Sequence, residues 1–184
     1  MDNGASSYRR FLDGDDNGLA ELIRIYNGGL TLYLNSFVGN LSIADELSED
    51  TFVKIGVKRP RYSGKSSFKT WLYAIGRNIA IDYMRKNPKQ ETISMGNCVG
   101  LADEKTIEKE YLKEEQFIIL YKAMGNLKAE YRQVLWLIYF EEMTAKEAAK
   151  VMKKSLHNVE VLVGRARQSL KSELKKEGYH DENL

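Results

Sequence analysis

The sequence predicts an all-α protein built as two small helical domains joined by a linker, and three observations carry that expectation. Apolar residues recur every three or four positions through the main apolar segments, which places them on one stripe of a helix. Ser, Thr, Asp or Asn stands just ahead of several of these stripes, where a side-chain oxygen can accept from the first free amides. The stripes fail between Asn87 and about Lys109, a stretch holding Pro88, Gly96 and Gly100 and then an acidic run, which reads as an interdomain linker with a helix starting near Thr106. The expected boundaries are 1–88 for the first domain, 89–109 for the linker, 110–178 for the second domain and 179–184 for a tail.

Composition narrows the class. With 184 residues, 43% of them hydrophobic and 29% charged, the chain has the make-up of a soluble globular protein. The longest purely apolar run, Val134 to Phe140, is far too short to span a bilayer, and no secretory signal is visible at the N-terminus. Cys98 is the sole cysteine, so no internal disulfide can form and a reducing cytoplasm fits. One cysteine and two histidines, His157 and His180, give no expectation of a metal site, and no cofactor is implied. The net charge of +2 hides a segregated pattern. Asp13 to Asp50 holds eight acidic residues and one basic, whereas Lys54 to Lys89 holds ten basic and one acidic. Glu91 to Gln116 turns acidic again, and Thr144 to Gly178 has nine basic residues against four acidic. Two basic segments point to two anion-binding surfaces, with nucleic acid as the obvious polyanion.

In chain order, Tyr8 to Leu12 is expected to form a short helix, followed by a loop at Asp13 to Gly18. Asp16 or Asn17 then caps a helix buried along Leu19, Leu22, Ile23, Tyr26, Leu30, Tyr33, Leu34 and Phe37, with Gly28-Gly29 as the place for a kink or break. Gly39-Asn40 closes it. Ser42-x-x-Asp45 resembles a capping box for the next helix, which buries Ile43, Ala44, Leu47, Thr51 and Ile55 and turns Asp45, Glu46, Glu49 and Asp50 outward. A solvated face would look the same. Lys58 to Ser66 is a basic loop with turn residues at Pro60 and Gly64. Ser66 or Ser67 caps a long helix carrying Phe68, Trp71, Leu72, Ile75 and Ile79 on one stripe and Tyr73, Ile81 and Met84 on another, so it is covered on more than one face. It stops near Asn87-Pro88. Lys69, Arg77, Arg85 and Lys86 frame its aromatic residues with positive charge, and such a mixture can hold a single nucleic-acid strand by stacking and by phosphate contact.

Beyond the linker, Tyr111, Phe117, Ile118, Leu120 and Tyr121 mark one helix, and a second lies within Met124 to Thr144. Thr144 caps a short helix to Met152, Lys153-Lys154 makes a tight turn, and Ser155 caps a long helix to about Lys176. Short helix, turn and longer helix form a helix-turn-helix signature. Leu156, Val159, Val163, Ala166 and Leu170 are assigned to the core, leaving His157, Asn158, Glu160, Val161, Gly164, Arg165 and Gln168 for a DNA major groove. A plain helical hairpin is the competing reading.

Residues 67–86 resemble the signature helix of the second conserved region of bacterial RNA polymerase sigma factors, in the small two-domain extracytoplasmic-function group. The matching residues are Phe68, Trp71, Leu72, Gly76, Arg77, Asn78, Asp82, Arg85 and Lys86. Ala44 to Phe52 is similar to the family's docking helix for the polymerase clamp, with Ser48-Glu49-Asp50 where Val-Gln-Glu is common. Met124 to Lys171 resembles the fourth region through Leu127, Arg132, Phe140, Glu141, Thr144, Glu147, Ala149, Arg165, Ala166 and Arg167. Lys128 stands in place of the usual proline, Lys153-Lys154 in place of a Gly-Ile or Gly-Val turn, and Asn158 to Leu162 in place of Thr-Val-Lys-Ser-Arg.

The resemblance implies a sigma factor that binds core RNA polymerase, recognises and melts promoter DNA, and has no catalytic chemistry of its own. It implies core polymerase contact through Asp45, Glu46, Leu47, Glu49, Asp50 and Phe52. It implies minus-ten DNA contact through Lys58, Arg59, Arg61, Tyr62, Lys65, Lys69, Trp71, Arg77, Asn78, Arg85 and Lys86. Minus-thirty-five contact falls to Lys153, Lys154, Ser155, His157, Asn158, Glu160, Val161, Arg165 and Arg167. The partners are then core polymerase and promoter DNA, with an inhibitory anti-sigma factor admitted as a third; the location is cytoplasmic, at the nucleoid during transcription, with no membrane insertion. The rival is a stand-alone helix-turn-helix regulator.

Overall fold

A computed structural model of the chain describes residues 3–88 and 118–177, and all regular structure among them is helical. The helix expected near Thr106, the start of the second domain at 110–117, the whole linker at 89–109 and the tail lie outside the described residues. Four helices form the first set: α1 (Asn3–Leu12), α2 (Asn17–Val38), α3 (Leu41–Lys58) and α4 (Phe68–Lys86). The second set is α5 (118–125), α6 (Ala129–Leu135, ending in a π turn over Trp136–Phe140), α7 (Ala145–Met152) and α8 (Leu156–Lys176).

The first core is made where α2, α3 and α4 meet. Leu22, Leu30, Tyr33 and Leu34 of α2, Ala44 and Ile55 of α3, and Phe68, Leu72, Tyr73 and Ala80 of α4 are all fully buried. Burial of such side chains is worth about 1.5–3 kcal/mol each and supplies most of the drive to fold. Gly76 lets α4 and α2 close together, since a Cβ there would sit 2.9 Å from Leu30 Cδ1. As the two stripes of α4 imply, it is covered on several sides: Phe68 and Tyr73 are buried, while Ile81 keeps 37% of its surface in water.

Local signals set the helix ends in most places. Ser67 caps α4 by accepting from Thr70 N at 3.2 Å, and Ser155 caps α8 by accepting from Asn158 N at 3.2 Å. Thr144 and Glu147 form a full capping box on α7. Three expectations need correction. Ser42 does not cap α3; Asn40 does, accepting from Ile43 N at 3.1 Å, because Gly39 already ends α2 in a left-handed turn and puts Asn40 in extended backbone. The Asp16 side chain makes no cap on α2; Asp15 instead accepts from the Asn17 backbone and side chain at 3.0 and 2.9 Å. And α2 runs unbroken through Gly28-Gly29.

The end of α6 departs from a regular helix. Glu141 N donates to Trp136 O, five residues back, at 3.1 Å, and Met143 N reaches Leu137 O at 2.9 Å. Glu142 then takes a left-handed backbone with φ 52°. The two helical sets are not separate bodies: their buried side chains form one contiguous apolar cluster running from Tyr8 to Ala166. Lys153, in the turn of the helix-turn-helix, has φ 54° and ends α7 in the left-handed region where a Cβ is penalised by about 1–2 kcal/mol. Lys153→Gly should therefore raise the chain's stability by ~1 kcal/mol, less what the freer unfolded glycine loses. An unchanged urea midpoint would show that the turn carries no strain.

Candidate nucleic-acid interface

The basic loop between α3 and α4 is built on an aromatic cluster. Tyr8 OH donates to Pro60 O at 2.7 Å, tying α1 to the loop's start. Tyr62 OH donates to Ser66 O, and its ring lies 5.3 Å from Trp71 and 5.6 Å from Phe68. Tyr8 lies tilted against the same two rings, 5.3 Å from Trp71 and 5.4 Å from Phe68. Rings at these separations contribute beyond their burial and hold the loop's shape. Lys58, Arg61 and Lys65 stand exposed on this support, with Tyr62, Trp71 and Asn78 half-buried behind them and Arg85 and Lys86 exposed further along α4.

Other predicted cations are already engaged. The Arg59 guanidinium lies 4.8 Å over the Phe11 ring and closes α3 with φ 43°. Arg77 is half-buried with its Nε out of water beside Tyr33, whose hydroxyl is driven far up by burial, against which the Arg77 charge works. Arg85 pairs with Asp82 at 3.3 Å. Lys69 turns to Glu141, at 2.7 Å from Oε2, while donating to Glu141 O at 2.8 Å.

On α3, Asp45, Glu46, Glu49 and Asp50 are all exposed, and Asp45 accepts from Thr31 Oγ1 at 3.3 Å. Leu47 and Phe52 are 3% and 4% exposed, so their side chains fix the helix to the core and offer no surface to a partner. The sequence reasoning missed Val53 and Val57, which extend the acidic face with 59% and 76% of their surface in water. Their signal was positional: both continue the outward phase set by Glu46, Glu49 and Asp50.

In the helix-turn-helix, Val159 and Ala166 are fully buried and seat α8 on α7. Ser155, His157, Asn158, Glu160, Val161, Gly164, Arg165, Arg167 and Gln168 are exposed along α8, and Lys153 is exposed in the turn. Lys154 pairs with Glu130 at 3.1 Å. Leu156, expected in the core, is 45% exposed, because the first residue of α8 stands beyond the reach of α7. It joins Val161, at 38%, as exposed apolar surface on α8.

A third feature lies between the two helical sets and was not legible in the sequence. Glu141 is buried against α2 and α4, where it accepts from Lys69, from Trp136 Nε1 at 3.3 Å and from the Tyr73 hydroxyl. Burial, then the adjacent Glu141 carboxylate, pushes the Tyr73 hydroxyl well up. Glu147 accepts from Ser67 Oγ at 3.1 Å and Thr70 Oγ1 at 3.4 Å across the same boundary. Burial works to raise the Glu147 carboxyl, and the hydrogen bonds from Thr144, Ser67 and Thr70 outweigh it, so it sits below the usual carboxylate range. Lys150 Nζ donates to Lys65 O at 2.8 Å, and Arg132 reaches Ser36 O at 3.2 and 3.3 Å.

Two helical units, one with a basic-aromatic surface beside an acidic helix and one with an exposed helix after a tight turn, make the arrangement of a DNA-binding protein. Residues 22–90 match the family model for sigma-70 region 2 and residues 117–170 match that for sigma-70 region 4. The ECF RNA polymerase sigma factor SigM of Bacillus subtilis is 32% identical over 162 residues, covering 88% of this chain and 98% of that one. The RNA polymerase sigma factor YlaC of the same organism is 28% identical over 170 residues, covering 87% and 94%. Among solved structures, CnrH in complex with the cytosolic domain of CnrY matches with a TM-score of 0.64 at 22% identity, over 95% of this chain and 96% of that one. The sigma factor RpoE of Bartonella quintana, in complex with the anti-sigma factor NepR, matches with a TM-score of 0.67 at 22% identity, over 85% and 96%. The chain belongs to the extracytoplasmic-function group of the sigma-70 family of RNA polymerase sigma factors. It binds core RNA polymerase and directs it to promoters, and the stand-alone regulator is not favoured.

Burial separates support from surface on α3. Phe52→Ala should cost ~3–5 kcal/mol, as truncation of a buried ring does. Glu49→Lys should stay within about 0.5 kcal/mol of the parent, because it is exposed and relieves a like-charge pair with Asp45. Denaturant unfolding of both variants decides: a large loss in Glu49→Lys would place that side chain in the packing.

Proposed function

We propose that the exposed acidic face of α3, Asp45, Glu46, Glu49 and Asp50, ending in Val53 and Val57, docks on core RNA polymerase. The observation that carries this is the separation of surfaces within one domain: carboxylates and two bare valines on α3, cations and half-buried rings on the loop and α4. Charge guides the encounter, and the valines supply the apolar area that a stable contact buries.

The loop and α4 then act on the melted minus-ten strand. Lys58, Arg61, Lys65 and Lys86 meet phosphates, joined by Arg85 once it leaves its exposed pair with Asp82, while Tyr62, Trp71 and Asn78 form the wall against which an extruded base is held. Arg59, Lys69 and Arg77 act first on the chain's own structure. On α8, Arg165, Arg167 and Lys153 orient the minus-thirty-five duplex through phosphates, and Asn158, Glu160, Val161 and Leu156 face base edges. A carboxylate there is repelled by phosphate and accepts only from an amino group such as that of cytosine, so specificity comes at the expense of affinity. The chain works in the cytoplasm without catalytic chemistry. An anti-sigma factor is the further partner, a reading supported by RpoE, a structure of like fold solved with the anti-sigma factor NepR.

Reconstituted transcription with core polymerase tests the assignment. Glu49→Lys should weaken core binding with the fold intact. Joint replacement of Lys58, Arg61 and Lys65 by Gln should spare core binding and impair strand opening, read by permanganate reactivity of promoter thymines. Normal opening by that triple variant would remove the loop from the mechanism.

Glu160→Lys should raise affinity for unrelated duplex and steepen the salt dependence by about one released counterion, while blurring sequence preference. Selection of binding sites from a random pool by the full chain reads the preference. If affinity and preference both stay as they were, Glu160 does not face the groove.

A further inference from the structure

The basic loop begins on a backbone that it would not choose alone. Arg59 has φ 43° and ψ 52°, the left-handed region that a Cβ disfavours. Pro60 follows, and the residue ahead of a proline is pushed toward extended backbone. Such a conformation persists only where its surroundings over-determine it. Here the surroundings are supplied by α1. The Phe11 ring lies 4.8 Å from the Arg59 guanidinium carbon. One turn earlier in α1, the Tyr8 hydroxyl donates to Pro60 O at 2.7 Å. Proline brings no N–H, so this carbonyl is the backbone group by which Pro60 can be held.

The same helix reaches the other end of the loop. The Tyr8 ring, 1% exposed, rests against Phe68 and Trp71 at the start of α4, and Tyr62 rests against the same two rings from the loop. Two glycines let α1 lie this close. A Cβ at Gly4 would stand 2.6 Å from Phe68 Cδ1. One at Gly18 would stand 2.7 Å from Phe11 N and closer still to Ser7 O. Ser7 donates to Glu21 at 3.0 Å and Arg10 pairs with the same carboxylate, which fixes α1 along α2. This helix lies ahead of residues 22–90, the stretch that matches sigma-70 region 2.

We propose that α1 is part of the strand-reading site, with Tyr8 as the positioning residue that sets the entry of the loop and, through it, the wall that accepts an extruded base. Tyr8 is buried and touches no DNA itself. Its hydroxyl holds Pro60, and Arg61 and Tyr62 occupy the next two positions, so the direction in which that cation and that ring leave the loop is fixed from α1. A helix that only filled the core would need the Tyr8 ring and not its hydroxyl. The inference rests on strand reading by the loop, proposed above.

The test uses holoenzyme assembled from the full chain and core polymerase. The probe is a labelled single strand selected from a random pool by the parent holoenzyme, and each of its bases is then replaced in turn. Fluorescence anisotropy reads strand affinity and base preference, and urea unfolding reads stability. Tyr8→Phe keeps the ring and removes the hydrogen bond. It should bind core polymerase as the parent does, bind the strand about fivefold weaker, the worth of one net hydrogen bond, and discriminate less at the position of the extruded base. Gly18→Ala, whose nearest neighbours all lie in α1, should displace that helix and cause the same loss; Tyr8→Phe decides alone if it does not fold. Lower stability with unchanged strand affinity and preference makes α1 a purely structural helix and overturns the proposal. Unchanged binding by Tyr8→Phe beside weakened binding by the joint Lys58, Arg61 and Lys65 replacement leaves strand reading with the loop and removes α1 from it. Unchanged binding by that triple variant overturns strand reading by the loop, and this inference with it.

Discussion

Glu141 has been taken out of water, and the arrangement of the two domains depends on how that removal is compensated. An ion in a low-dielectric setting is costly unless its charge is paired and its lone pairs are filled. Lys69 supplies the charge, and Tyr73 and Trp136 supply donors. Such a pair adds little net stability because desolvation consumes most of the attraction, yet losing one partner is expensive.

The helix α4 ties together core, loop and domain contact. Its Phe68 and Trp71 hold the basic loop through Tyr62 and Tyr8, its Leu72 and Ala80 complete the core, and its first turn offers Ser67, Lys69 and Thr70 to the second domain. A change on any face of this helix is therefore felt on the others. Core substitutions here would reshape the basic loop, which takes its form from the same rings.

What could be read in the chain was local. The caps at Ser67, Thr144 and Ser155 are decided within four residues, and the stripes of α2, α3 and α4 follow from helical period, except that Ile23, expected on the α2 stripe, is 40% exposed. The misreadings have local causes as well: Ser42 and Asn40 are both good caps, and the choice fell to the left-handed Gly39 before them. Leu156 continues the apolar spacing of α8 but stands one turn past its packing partner. Gly29 is different in kind. Its reason is the side chain of Glu141, more than a hundred residues away, which a Cβ there would meet, and no local pattern could separate it from Gly28. Leu47 and Phe52 sit inside the stretch that resembles a docking helix and yet serve the core, because such a resemblance picks out a helix and not which of its faces is exposed.

Glu141 and Lys69 belong to one polypeptide, so their pairing is an intramolecular event whose extent does not depend on how much of the protein is present. Dilution leaves it as it was. Added salt acts on it only weakly, because the carboxylate is 8% exposed and ionic screening falls chiefly on exposed charge.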